Sequence, residues 1–423
     1  MTTVMNTIVR KKGTAAGAQG QGGRAGTVRG RRDPLDEVTE DLCTTVFASL
    51  RRRDQREKGL QYVRGLLTTS GRKSIRGIAA QVGGPAAEQS LHHFISSSTW
   101  DWEPIRTALI RRLAANGPLA AWVAQPMAIP KGGEHSVGAG HRFDPHQGQM
   151  FRGQQAFGTW FTSPEVATPV GWRLFLPDAE GPAGVRANTA RPTAAEDAPA
   201  HAVPYEECAA LGVFETVRSS GLPVRPVVLD IRDIGTRLTM NRFAEARMPV
   251  IARISPAARL LVTDPSLPGY GSGALSAVDL LQSVKGLRMP VEWPDPAGSP
   301  AHRSTLAAAV RVMMPDPSPA RRRQLLLIGE WTDPRRLPSQ LWITDLTRPP
   351  VGPLLRMTKQ ARRVAHCAQN SGREVGLRDY AGRSLHGWHR HVTMASVAHA
   401  AHALAGQERQ RQRQQPYPVR PLR

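Results

Sequence analysis

The chain has 423 residues, enough for two to three domains and a substantial core. Its 40% apolar and 21% charged content is ordinary globular usage, which excludes a chain disordered throughout. Lys and Arg number 56 against 34 Asp and Glu, a formal charge of +22 that calls for a polyanionic partner, either nucleic acid or an anionic membrane.

In chain order, residues 1–32 carry Arg10, Lys11, Lys12, Arg24, Arg29, Arg31 and Arg32 among many glycines and no acid, the composition of a disordered basic arm. This stretch lacks the apolar middle of a secretory signal. No run of about 18 apolar residues follows anywhere, so the expectation is a cytoplasmic, nucleoid-associated protein that does not span a membrane. Cys43, Cys208 and Cys367 stand alone, which supports neither a disulfide framework nor a paired-cysteine zinc site. Arg far outnumbers Lys, and Ala, Gly and Pro are abundant. A GC-rich coding genome produces the same bias, so charge alone does not identify the partner.

From 35 to about 113 the apolar positions follow a helical period, as in Leu35, Val38, Leu42, Val46 and Leu50. Within this region Ser74, Ile75, Ile78, Ala79 and Val82 form one short helix, Gly83, Gly84 and Pro85 a turn, and 86–95 a second helix with Leu91 and Phe94 inward. That outline fits a helix-turn-helix, and equally a plain helical bundle. As a DNA reader, the second helix offers Gln89, His92 and His93 to base edges, while Arg72, Lys73 and Arg76 neutralise phosphates. Trp100 and Trp102 are expected to pack under the helices rather than stack on bases.

Short apolar or alternating runs then predict strands at 121–124, 136–142, 149–161, 169–176, 227–231 and 249–254, with more around 291–293, 325–331 and 341–343. The Ala-, Pro- and Gly-rich stretch 178–204 reads as a long loop. Residues 355–369 and 384–405 return to helix-compatible composition. Arg409, Arg411 and Arg413, followed by Pro416 and Pro418, read as a flexible basic tail. His386, His389, His391, His399 and His402 crowd the last helix, but no Cys or acid joins them at ligand spacing, so a packed basic helix is favoured over zinc. Neither a phosphate-binding Gly-Lys loop nor a nucleophile elbow is present.

Several runs in order, Arg53-Asp54-Gln55-Arg56, Tyr62-Val63-Arg64-Gly65-Leu66-Leu67, Gly71-Arg72-Lys73-Ser74, Gln89-Ser90-Leu91-His92-His93-Phe94-Ile95, Pro130-Lys131, Trp172-Arg173-Leu174 and Gly387-Trp388-His389-Arg390-His391, resemble the DDE transposases of bacterial insertion sequences. The resemblance implies an α/β protein with an RNase H-like core and a β-strand-rich insertion, preceded by an all-α, helix-turn-helix-like domain. Mapped onto the chain, it implies a basic arm at 1–32, a helical DNA-binding domain at 33–117, a transposase domain at 118–405 with its insertion at about 255–350, and a tail at 406–423. DNA is the implied partner and a homodimer is compatible with it, although no coiled-coil seam is visible.

The family's chemistry rests on three carboxylates holding two divalent metals for in-line phosphoryl transfer. Its first acid sits in a run like Trp-Val-x-Asp-Asp-Thr shortly before Pro-Lys; the matching run here is Trp122-Val123-Ala124-Gln125-Pro126-Met127 before Pro130-Lys131, with Gln125 and Pro126 in place of the acids. The second position is kept as Asp230, with Arg232 placed to pair with it. The third falls at Ala365, and Asn370 and Gly372 stand where a later Glu and Lys would be. Glu134 and Glu374 are the nearest acids that a shifted register would bring in. The expectation is therefore a DNA-binding protein with Asp230 as its one retained catalytic candidate, Lys131 as a further DNA contact, no metal site and no cofactor. Two alternatives remain open: an active transposase using Mg2+ with substitute ligands, and a non-catalytic structural or oligomerisation partner.

Overall fold

The computed structural model describes residues 33–132, 136–144, 148–176, 205–232, 235–294, 302–318 and 321–414, and among these five α-helices come first. The basic arm, Glu134, His135, the long loop at 178–204, Pro416 and Pro418 lie outside the described residues. Helix α1 (Pro34–Val46) has proline in its first turn and turns Leu42, Cys43 and Val46 inward. It is followed by α2 (Arg53–Thr68), α3 (Ile75–Val82), α4 (Pro85–Ser96) and α5 (Glu103–Asn116). Ser74 caps α3, its hydroxyl accepting from the Gly77 amide at 3.0 Å, and the turn to α4 uses Gly84 at φ 65°, a backbone that favours glycine.

Strands β1 (Ala121–Pro130), β2 (Gly140–Asp144), β3 (Gln149–Thr162) and β4 (Ala167–Leu174) then form an antiparallel group, with β1, β2 and β4 all pairing with β3. After α6 (Tyr205–Ser220), β5 (Val227–Asp230) joins β1 in parallel, and α7 (Thr236–Glu245) carries the chain over to β6 (Val250–Arg253), parallel to β5. An antiparallel group extended by helix-linked parallel strands is the RNase H-like arrangement expected from the sequence. Trp122, Val123, Val227, Val228, Val250 and Ile251 are buried, as strands covered on both faces require.

The segment between β6 and the next long helix extends the same sheet. It contains β7 (Arg259–Val262), β8 (Leu275–Ser276), α8 (Ala277–Ser283), β9 (Met289–Pro294), β10 (His302–Met313), β11 (Gln324–Trp331) and β12 (Gln340–Thr344), which docks antiparallel on β6. Among the described residues the sheet has 12 strands. Helix α9 (Val351–Gln369) crosses over β1, β5 and β9, and a short α10 (Ser371–Glu374) leads to α11 (Leu385–Gln414).

Helix α11 is buried from Gly387 to Ala401 apart from the half-buried His389, which its Ala-rich composition permits because small side chains let neighbours approach closely. It packs against α1, α2, α4 and β4, so the N-terminal helices close around the far end of the chain. The helix continues through Gln414, so residues 406–414, expected as the start of a flexible tail, are helical. Trp100 packs as expected: its ring stacks on Phe94 at 5.1 Å and its indole N–H donates to the Phe94 carbonyl at 2.9 Å. Trp102 stacks on His389 at 4.6 Å.

Candidate active site

Ala124 of β1 pairs with Leu229 of β5, so the next residues along, Gln125 and Asp230, emerge beside each other where the parallel strands end. Arg253, on β6, pairs directly with Asp230. Along α9, Thr358, Arg362 and Ala365 recur at helical spacing and face the same space. Gln125, Pro126, Asp230 and Ala365 thus line one cavity of about 350 Å³. Four positions picked out from widely separated runs converge, although β5, α9 and β1 are far apart in sequence.

The chemistry of the cavity is cationic. Arg232 grips Asp230 through two nitrogens, Nε to Oδ1 at 2.9 Å and Nη2 to Oδ2 at 2.8 Å, the pairing expected from their spacing. Arg253 Nη1 stands 3.5 Å from the same Oδ2. The other carboxylate of the wall, Glu330 from β11, is 2% exposed and ion-paired with Lys359 of α9. Burial pulls Lys359 below the usual lysine range, and Glu330 opposes that shift. Gln125 spends its amide on the Pro126 carbonyl at 3.3 Å, and Ala365 has no donor atom. Among the described residues no three His, Cys, Asp or Glu side chains gather as a metal-holding group. A pair of hard dications requires several anionic oxygens, so this donor set, with one neutral amide oxygen and two carboxylates already paired to cations, does not fit them.

The sequence did not single out Arg253, Arg303, Glu330 or Lys359. They come from β6, the insertion strands and the middle of α9, and no spacing along the chain connects them. Lys359→Met is expected to cost about 3–5 kcal/mol, because it strands the Glu330 carboxylate in the interior. Adding Glu330→Gln should recover most of that loss, which urea melts of the two singles and the double would measure. Additive losses would mean the pair is not coupled.

The proposed DNA-facing residues fall into two groups. Gln89, His92 and His93 are exposed on α4, opposite the buried Leu91 and Phe94, and Arg72 and Arg76 are exposed at the start of α3. Lys73 is different: it is 5% exposed, its ammonium donates to the Thr69 carbonyl and its backbone N–H donates to Asp379 at 2.8 Å. It ties the α2–α3 turn to the loop before α11 and so is withdrawn from solvent, contrary to the expectation of a phosphate contact. Gly376, at φ 74°, lies directly against it, where a Cβ would collide with the Lys73 side chain. Lys131 likewise donates to the Tyr380 carbonyl, and burial together with nearby Arg72 pushes its pKa down to about 8. It does not line the cavity.

The histidines of α11 are packed rather than gathered. His391 meets the Tyr62 hydroxyl at 2.9 Å and the Gly376 carbonyl at 2.8 Å, and His399 meets Ser371 Oγ at 2.8 Å.

A parallel-extended RNase H-like sheet, with a helix laid across the strand ends where Asp230 emerges, defines the class of polynucleotide-processing folds. The chain belongs to the DDE superfamily endonuclease family, whose model matches residues 45–314, well over half of it. That span takes in α2 to α5, Gln125, Pro126 and Asp230 and ends before α9, so Ala365 is assigned to the cavity by geometry. No curated protein matches the chain. Among the described residues no helix is long and apolar enough to cross a membrane.

Proposed function

We propose that this transposase-like chain binds DNA through its N-terminal helices and does not cut it by the two-metal route, serving as a regulator or persisting as a remnant of an insertion-sequence transposase. One observation carries this reading: the cavity where Gln125, Pro126, Asp230 and Ala365 meet pairs its central acid with Arg232. Arginine so placed supplies positive charge but cannot polarise a phosphodiester or lower the pKa of water as a dication does.

Supporting DNA binding are the +22 charge, the family membership and the exposed α4 face carrying Gln89, His92 and His93. In this reading α4 enters the major groove, and Arg72 and Arg76 hold the backbone beside it. The order of helices agrees: α3 is capped and short, and a two-residue glycine turn sets α4 across it.

Arg72→Ala with Arg76→Ala is expected to weaken binding to all sequences alike and to lower the log–log salt slope by about 0.9 per lost phosphate contact. Gln89→Ala should instead erase about 1–3 kcal/mol of discrimination between cognate and random duplex. Fluorescence anisotropy across a salt series separates the two effects. If all three substitutions act equally on cognate and random DNA, α4 is not the reading element.

A further inference from the structure

The loop of residues 375–384, between α10 and α11, ties three parts of the fold together through polar contacts. From α11, His391 Nε2 meets the Gly376 carbonyl at 2.8 Å, while its Nδ1 meets the Tyr62 hydroxyl of α2 at 2.9 Å. From the turn before α3, the Lys73 backbone N–H donates to Asp379 Oδ2 at 2.8 Å. From the end of β1, Lys131 Nζ donates to the Tyr380 carbonyl and stands 5.8 Å from the centre of the Tyr380 ring. One loop thus fastens the helices with the candidate DNA-reading face to the strand that carries Gln125 and Pro126.

Lys131 is the group at this junction whose charge has the least support. It is half-buried, and among the described residues no carboxylate forms an ion pair with it. The charged and titratable groups around it are Arg72 from the turn before α3, Asp379 and Tyr380 from the loop, and His391 from α11, which burial holds neutral. On the β3 side, Arg152 meets it through the backbone, its carbonyl accepting from the Lys131 amide at 3.0 Å. Burial and then Arg72 bring Lys131 down to about 8, and the weaker attraction of Asp379, already engaged by Lys73, does not offset them. Near pH 8 about half the molecules therefore carry the charge.

Arg72 is exposed and likewise has no carboxylate partner among the described residues. A phosphate seated against Arg72 would cancel its repulsion of Lys131 and add an attraction of its own, and both effects favour the protonated amine. Coupling between two sites is reciprocal, so the protonated amine favours the phosphate by the same factor.

We propose that Lys131 is a proton-linked switch for DNA binding at the N-terminal helices: a backbone phosphate held by Arg72 draws a proton onto Lys131, and the charged Lys131 tightens the hold on that phosphate. This rests on the reading that Arg72 and α4 face DNA, and it adds the regulation of that contact. The lysine is more basic in the complex than in the free chain. The added affinity is therefore fully present below the free value and is lost as the pH rises through the bound one.

Fluorescence anisotropy of one duplex at fixed ionic strength, from pH 7.5 to 9.5, tests this with the full chain and its Lys131→Arg and Lys131→Met variants. The natural chain should lose about 5-fold in affinity across the range, as follows from a rise of about one pKa unit in the complex. Lys131→Arg, whose charge does not titrate, should keep the tighter affinity throughout, and Lys131→Met the weaker one. Calorimetry at pH 8 in two buffers of different ionisation enthalpy should show the natural chain taking up about 0.4 of a proton more on binding than either variant. Titrations elsewhere are common to all three chains and cancel in the comparison. A purely structural lysine would instead lower the melting temperature and shift affinity equally at every pH. If Lys131→Met does not fold, Lys131→Arg beside the natural chain still decides. Duplex binding with the same pH profile and proton uptake in every chain overturns the switch alone. No duplex binding by any chain at any pH overturns the reading of α4 and Arg72, and the switch with it.

Discussion

Incubated with supercoiled DNA and magnesium or manganese, the natural chain is expected to leave the DNA intact, while a chain with its acids restored should nick it. Restoration is more than filling gaps. Gln125→Asp and Ala365→Glu return carboxylates to the strand end and to α9, but Asp230 stays occupied by Arg232 through two hydrogen bonds of 2.9 and 2.8 Å. An arginine in that geometry competes with the metal for both oxygens, so the variant also needs Arg232→Ser. Freeing the ligand in this way should raise manganese affinity by on the order of 10- to 100-fold over the same chain with Arg232 in place. Three carboxylates then share the space with Arg253, which still neutralises part of their charge, and the restored activity should be weak and manganese-favoured. Gel analysis of plasmid nicking and calorimetry of manganese binding read the two halves of the prediction. Nicking by the natural chain that EDTA abolishes would refute the functional reading outright, whatever the restored variant does.

Much of this site was legible from the chain because its parts obey local rules. Helix α3, its Ser74 cap and the glycine turn into α4 follow from apolar period and cap chemistry. The strands β1, β3, β5, β6 and β11 announce themselves as short apolar runs between Pro and Gly. The pairing of Asp230 with Arg232 needs only two residues of spacing and a strand end. What could not be read depends on tertiary context. Strand β10 contains Leu306-Ala307-Ala308-Ala309-Val310, a run with helix propensity that becomes a strand because β9 and β11 pair with both of its edges. Helix α7 starts after Gly235 with no side-chain cap to mark it. Lys73 has the sequence neighbours of a solvent-facing lysine, and only the approach of Gly376 and Asp379, some 300 positions later, removes it from water. The same holds for Lys359 and Glu330, which meet because β11 and α9 converge. A charge count over the sequence cannot distinguish lysines that face a polyanion from those that compensate a buried acid.

Lowering the pH from 7 to 4 is expected to unfold the protein through the histidines of α11 before its surface charges matter. His391 and His399 are buried, and burial lowers their pKa values to about 4 and about 3, with His402 adding to the effect on His399 and Lys131 opposing Asp379 at His391. The hydrogen bonds fix the neutral forms. The Gly376 carbonyl can only accept, so His391 carries its proton on Nε2 and its Nδ1 accepts from the Tyr62 hydroxyl. The Ser371 hydroxyl donates to the Cys367 carbonyl, so His399 Nε2 donates to Ser371, and its Nδ1, buried without a partner, has nowhere to place a second proton. His389 behaves alike: burial and the Arg106 guanidinium, 3.1 Å from its Nδ1, hold it neutral. A folded pKa below the unfolded value near 6.5 means that the unfolded chain binds more protons as the pH falls through that value, so stability is lost below about pH 6.5 and continues to fall until the folded groups titrate. At pH 4 the loss is about 3 kcal/mol from each of His391 and His399, a large part of a typical domain's stability. His391→Gln keeps a donor for Gly376 and an acceptor for Tyr62 while removing the titration, and His399→Leu fills the same volume against Trp160. Denaturant melts between pH 7 and pH 4 should therefore be flatter for the double variant than for the natural chain, although the variant is less stable at pH 7. An unchanged slope would mean that carboxylates elsewhere, rather than the buried imidazoles of α11, govern acid unfolding.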